Sequence, residues 1–280
     1  MSEPEGHGGA WTEERGTSDE GRRRSEGGRG GGWGPGGGMK QHVSRRRVRA
    51  VFRKELREYR RKRTIVIGMG ILPLVFLVQP LVSVFALPAS ASAQLAQHHE
   101  LLYMLGIPAL VPATLAAYAV VGERQQGTLE PVLTTPVRRE EFLLGKALAC
   151  FLPSVAVAYA VFLIFVACVE LFAQPGVASA LLRGSDLLAQ LLFTPLLAGW
   201  SIWVGIAIST RATEVRVAQQ LGLVANLPSV VVTTLIAFNA IHPSLAIAIA
   251  GALVLLVLNR LGWSVTSAMF DRERLITGTR

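Results

Sequence analysis

Apolar residues fall in six long blocks along the chain, from about Thr64 to Leu87, Leu101 to Gly122, Lys146 to Phe172, Leu187 to Thr210, Val217 to Asn239 and Ser244 to Asn259. Roughly 20 apolar residues in a helix cross the hydrocarbon core of a bilayer, so the pattern predicts six transmembrane helices. The last block is the shortest. It is expected to continue as an interfacial helix from Arg260 to Phe270, with Leu261, Val265, Ala268 and Met269 on its lipid-facing side. Prolines at 73, 80, 108, 112, 153, 195 and 228 would break helices in water. In a bundle, neighbouring helices satisfy the carbonyls they free.

A different pattern precedes the first block. From Ser44 to Arg63 the apolar residues are Val48, Val51, Phe52, Leu56 and Tyr59, spaced so that they draw one stripe on a helix. The other positions are mostly Arg, Lys and Glu. This predicts an amphipathic helix in the headgroup plane, stripe toward the membrane and bases toward anionic lipid. Arginine clusters also suit nucleic-acid phosphates, but this basic block abuts a span, so membrane lipid is the expected partner and nucleic acid is not. Residues 1–43 form a Gly/Arg-rich tail, with 14 of the 28 glycines in the first 38 positions and Trp11 and Trp33 as the large hydrophobic residues there. Such a segment buries too little to offset its ordering entropy and is expected to be disordered. No basic start followed by an apolar core of about 7 to 15 residues occurs in it, so no signal peptide is expected, and Met39 is a second candidate start.

Composition agrees with a lipid-facing chain: 51% of the 280 residues are hydrophobic and 17% are charged. Charge also orients it. The segment before the first block holds 17 Lys and Arg, the region 123–146 four, 211–216 two and the end from Arg260 four, against one in 173–186 and none in 88–100 or 240–243. The positive-inside rule then puts both termini and the region 123–146 in the cytoplasm. The expected fold is therefore an all-α polytopic membrane protein: residues 44–63 the amphipathic helix, 64–270 a six-span domain and 271–280 a cytoplasmic tail.

The stretch GERQQGTLEPVLTTPVRREEFLLGK, residues 122–146, is a charged island between two apolar blocks. Gly127 and Thr128 are expected to open a short helix through Leu129, Glu130, Val132 and Leu133. Thr135 and Pro136 supply an N-cap and first-turn pair for the next helix, in whose early turns Glu140 and Glu141 are favourably placed. Glu123 and Arg124 are expected to anchor the island to neighbouring basic residues or to a partner, while Leu129 and Leu133, four apart, present an apolar knob.

Catalytic chemistry is not expected. Gly145-Lys146 lacks the P-loop pattern, with Glu140 at the required glycine position and Ala147 after the lysine. Cys150 and Cys168 lie about 27 Å apart along one helix and cannot pair. His98 and His99 lack a third fixed ligand, so no metal is expected. Polar residues within the apolar blocks point either to a transport pathway or to ties between helices; Gln79, Gln190 and Asn226 are the candidate pathway residues.

The island resembles the segment between the second and third spans of ABC type-2 transporter permeases. The matching positions are Glu123, Arg124, Gly127, Thr128, Leu129, Glu130, Leu133, Thr135, Pro136, Gly145 and Lys146. MFDRERLITG at 269–278 is similar to that family's closing segment, and FRKELRE at 52–58 to the segment before its first span. Pro131 and Val132 depart from the usual Leu-Leu pair. The resemblance implies a permease half of an ABC exporter in a bacterial inner membrane, paired with a second permease subunit of the same or a different kind. Two separate ATPase subunits would bind ATP and Mg, this chain binding no cofactor itself. It further implies that residues 122–146 form the coupling helix and that 44–63, with Phe52, Glu55 and Leu56, form the connecting helix. The alternative expectation is an ATP-independent secondary transporter or channel.

Overall fold

The computed structural model describes residues 44–61, 63–85, 98–127 and 138–276, and these are helical with short connections. Thr128, Leu129, Glu130, Leu133 and Pro136, like the tail 1–43, lie outside the described residues. Five helices are long and apolar enough to cross a membrane by length and composition, and Met69–Phe85 is a shorter apolar helical stretch. The chain is thus an all-α, multi-pass membrane protein.

Helix α1 (Arg45–Arg61) is the amphipathic segment. Most of its stripe turns inward: Val51, Phe52 and Tyr59 pack against Phe142, Leu143, Ala147 and Cys150, while Leu56 stays half-buried at an open groove. The reason lies in helix α6 (Arg139–Phe172), whose 34 residues exceed the roughly 20 needed to cross the hydrocarbon. Its first turns offer α1 an apolar partner, and burying the stripe there is as favourable as burying it in lipid. Gly145 lets the two backbones close: a Cβ at that position would lie 2.6 Å from Val51 Cγ1 and 3.2 Å from the Val48 carbonyl.

After α1 comes α2 (Arg63–Phe85), with Pro73 and Pro80 inside it and Ile67, Ile71, Leu74, Val75 and Val78 exposed outward, as suits a helix wetted by acyl chains. The second apolar block is one helical run of membrane-crossing length, Glu100–Gln125, divided by two short interruptions into α3 (Glu100–Tyr103), α4 (Gly106–Ala116) and α5 (Tyr118–Gln125). It is also the centre of the bundle, 89% of its apolar window being buried. Pro108 and Pro112 deprive its backbone of two donors. Near Ala117 a foreign side chain enters the ladder: Ser209 Oγ donates to the Ala117 carbonyl at 2.7 Å and accepts from Val120 and Val121 N–H at 3.1 Å each. Such an insertion is a recognised cause of helix interruption.

Around this core stand α6, the short helix α7 (Pro175–Leu181), α8 (Gly184–Arg211), α9 (Val215–Ala237) and α10 (Leu245–Ile276). Helix α7 lies in a segment expected to be a loop; Pro175 opens it, and Val177 and Leu181 tuck into the core. Asn239, at φ 57, follows the end of α9, the left-handed closing position that Asn and Gly tolerate. The last block continues beyond Asn259 as helix, as expected, α10 running unbroken through it. The Asn259 amide donates to the Leu196 and Leu255 carbonyls at 2.9 and 2.8 Å, so this polar residue is satisfied inside the packing. Trp263 meets Trp203 edge-on one turn later, with ring centroids 5.4 Å apart.

Candidate functional site

The two helices flanking the charged island converge on α1, and four charges meet where they do. Lys146 Nζ, on α6, lies 2.9 Å from Glu123 Oε1 on α5 and 3.2 Å from Glu55 Oε1 on α1. Lys54 Nζ closes the ring at 3.1 Å from Glu123 and 3.5 Å from Glu55. The side chains of Lys146, Glu55 and Glu123 are 1%, 4% and 6% exposed, and that of Lys54 is half exposed. Buried charges are tolerated only when paired, and here two ammonium groups neutralise two carboxylates. The Phe142 ring, 4.9 Å from Lys146 Nζ, adds a cation–π contact. Burial presses the Lys54 ammonium toward its neutral form, but the carboxylates of Glu123 and Glu55 outweigh it and hold the group above the ordinary lysine value.

Two further sets of bonds extend this clamp. Glu141 Oε1 accepts from Ser44 N–H at 2.7 Å, while its Oε2 accepts from Arg138 N–H at 3.2 Å and from Arg47 Nη1 at 3.3 Å. One carboxylate thereby holds the start of α1 and caps the start of α6. The described helix begins at Arg139 with Arg138 as N-cap, and the expected cap pair Thr135-Pro136 lies outside the described residues. Glu141, as third residue of the helix, reaches back to the Arg138 backbone, the carboxylate half of a capping box. On the other flank, Arg124 donates from Nη2 to the Thr210 carbonyl at 2.9 Å and from Nη1 to the Ala212 carbonyl at 3.3 Å. A cation is thereby set at the C-terminal end of α8, where carbonyls are orphaned and positive charge is favoured. Gly127, at φ 64, closes α5, a left-handed position glycine occupies without penalty.

Glu123, Arg124 and Gly127 are therefore in one structured place with Glu55 and Phe52. Leu56 is half-buried on the same helix, beside the arginines. Sequence reasoning did not single out Lys54 or Ser209; it placed Glu141 in an early helix turn but not against Ser44 and Arg47, and it read Lys146 as the start of a span. A signal for the clamp was present: Glu55 stands three residues after Phe52 and four before Tyr59, inside the apolar stripe, where an acid needs a buried partner.

The three candidate pathway residues lie apart from this clamp, and no hydrogen bond joins them to one another among the described residues. Gln79 donates to Glu100 at 3.0 Å and Ser83 at 3.2 Å, Asn226 donates to the Gly222 carbonyl at 2.8 Å, and Gln190 is buried on α8. Nearby, His99 Nδ1 meets the Asp186 carboxylate at 2.9 Å, joining the start of α3 to the start of α8. Among the described residues no cluster of three or more His, Cys, Asp or Glu is placed to hold a metal.

Residues 49–247 match the family model described as ABC-2 family transporter protein. No curated protein matches the chain.

Proposed function

The chain belongs to the ABC-2 transporter family and is a membrane permease, and on that premise we propose that it forms the export pathway of a transporter driven by a separate ATPase docking on the island 122–146. In this reading the ATPase binds ATP and Mg, and its closure pushes on the island. The push passes through Glu123 and Lys146 into α5 and α6 and through Glu55 into α1. A second permease subunit completes the pathway, both termini are cytoplasmic, six spans cross the membrane, and the membrane is a bacterial inner membrane.

The observation that carries the proposal is the buried charge ring. Force applied to a loop is lost if its two ends move independently. Here both ends are tied to each other and to α1 by contacts of 2.9 to 3.5 Å, and the two pairs made by Lys146 are shielded from water, where screening would weaken them. Such an arrangement suits transmission of a displacement from a polar loop into the bundle.

The test is association with the ATPase. Leu129→Ala combined with Glu130→Ala leaves the charge ring intact, so a loss of the co-purifying ATPase cannot come from collapse of the clamp. The expected result is a monodisperse membrane protein that no longer retains the ATPase. Undiminished association and transport would contradict the docking site. Transport persisting with no ATPase present would favour the secondary transporter or channel instead.

A further inference from the structure

Helix α1 has a face that neither the clamp nor the core uses. Arg53, Arg57, Arg60 and Arg61 fall at spacings of four, seven and eight residues, hence on one side of the helix, and all four are exposed. With Leu56 they line an open groove of about 770 Å³. A second groove of about 390 Å³ shares Arg53, Arg57 and Arg61 and adds Ala50, Lys54 and the carboxylate of Glu58, so four bases there face one acid. Among the described residues no carboxylate pairs with any of these four guanidinium groups.

We propose that this groove is a binding site for the phosphate headgroup of an anionic phospholipid. Guanidinium groups present forked donors that match phosphate oxygens two at a time, and four of them around one groove make a net positive field that needs an anion. Two features select lipid over an acidic protein surface. Arg61 stands two residues before the start of α2, whose Ile67, Ile71 and Leu74 face outward, so the groove lies at headgroup depth with an acyl-wetted helix next in the chain. Leu56 on its wall gives an apolar contact for the glycerol region rather than for a hydrated carboxylate. The proposal stands on α1 alone and does not depend on the ATPase reading. Its consequence is that lipid would occupy the outer face of the same helix whose inner face supplies Glu55 to the clamp.

The experiment uses the full chain in nanodiscs of phosphatidylcholine mixed with phosphatidylglycerol, with retained lipid counted by native mass spectrometry. Replacing Arg53, Arg57, Arg60 and Arg61 together by Gln is expected to reduce retained phosphatidylglycerol by about tenfold or more, given the attraction each basic residue contributes near an anionic surface. Replacing the exposed Arg45, Arg46 and Arg49 by Gln on the same helix is expected to leave it nearly unchanged. The fourfold Arg→Lys variant, which keeps the charge but loses the forked donors, is expected to restore only part of the retention. Excess inorganic phosphate is expected not to displace the lipid. Equal loss in the two Gln variants or unchanged retention in the fourfold Gln variant would overturn the site, and full rescue by Lys would overturn forked guanidinium recognition in it. Full displacement by inorganic phosphate would reassign it to free anions. Loss of the co-purifying ATPase with lipid retained would make the groove a protein-docking surface and equally overturn the proposal.

Discussion

At the scale of single residues, Lys146 carries the most. It is 1% exposed, and it touches both Glu55 and Glu123. Lys146→Met would leave two buried carboxylates facing the half-exposed Lys54 alone, and breaking a buried pair from one side costs about 3–5 kcal/mol. A detergent melt should therefore show Lys146→Met as severely destabilised, with Glu123→Gln added in the same chain recovering part of the loss. Lys54→Ala should cost less, about 1–3 kcal/mol, since its own side chain is half in solvent while the buried Glu55 and Glu123 keep Lys146. The pH dependence of the Lys54 contribution follows from its raised folded-state value. A cation whose pKa is higher folded than unfolded contributes in full below the unfolded value, near 10.5, and loses that contribution as pH climbs through the folded one. Melting temperatures between pH 7 and 10 should therefore show no fall traceable to this lysine. Glu123 and Arg124 were legible as anchors because they border the island. Lys146 was not, because a lysine at the edge of an apolar block looks the same in sequence whether it meets water or a buried carboxylate.

At the scale of elements, the close approach of α1 to α6 depends on Gly145. Gly145→Ala would drive a methyl group to 2.6 Å from Val51 Cγ1, and overpacking of this kind costs about 1–3 kcal/mol. Gly70→Ala on α2 meets nothing within 4 Å and should be neutral or stabilising by up to about 1 kcal/mol, so a pair of melts separates close packing from helix propensity. Ser209→Ala should remove the three bonds at the α4–α5 interruption. Its expected cost is about 1–3 kcal/mol, with hydrogen exchange at Val120 and Val121 accelerated. The long apolar helices were legible from block length alone. The subdivision of the second block was not, because Ser209 acts on it from 88 to 92 residues away in the chain. The stripe of α1 was legible as a stripe; that it would meet α6 instead of lipid depended on how far α6 extends past the hydrocarbon, which composition does not specify.

At the scale of the whole molecule, the sequence pattern identified an all-helical multi-pass protein and its family. What it could not supply was the three-helix junction behind the island, because that junction joins residues near 55, 123 and 146 that are remote in the chain. As proposed above, this junction would be the mechanical base of an ATPase-docking loop on the cytoplasmic side, opposite the turn between α9 and α10. Photo-crosslinking in the assembled transporter tests it most directly, with benzoylphenylalanine placed at Leu129 in one variant and at the exposed Ala240 in another. The account predicts a crosslink to the ATPase from position 129 and none from position 240. A crosslink from position 240, or none from position 129 in a complex that still contains the ATPase, would contradict it.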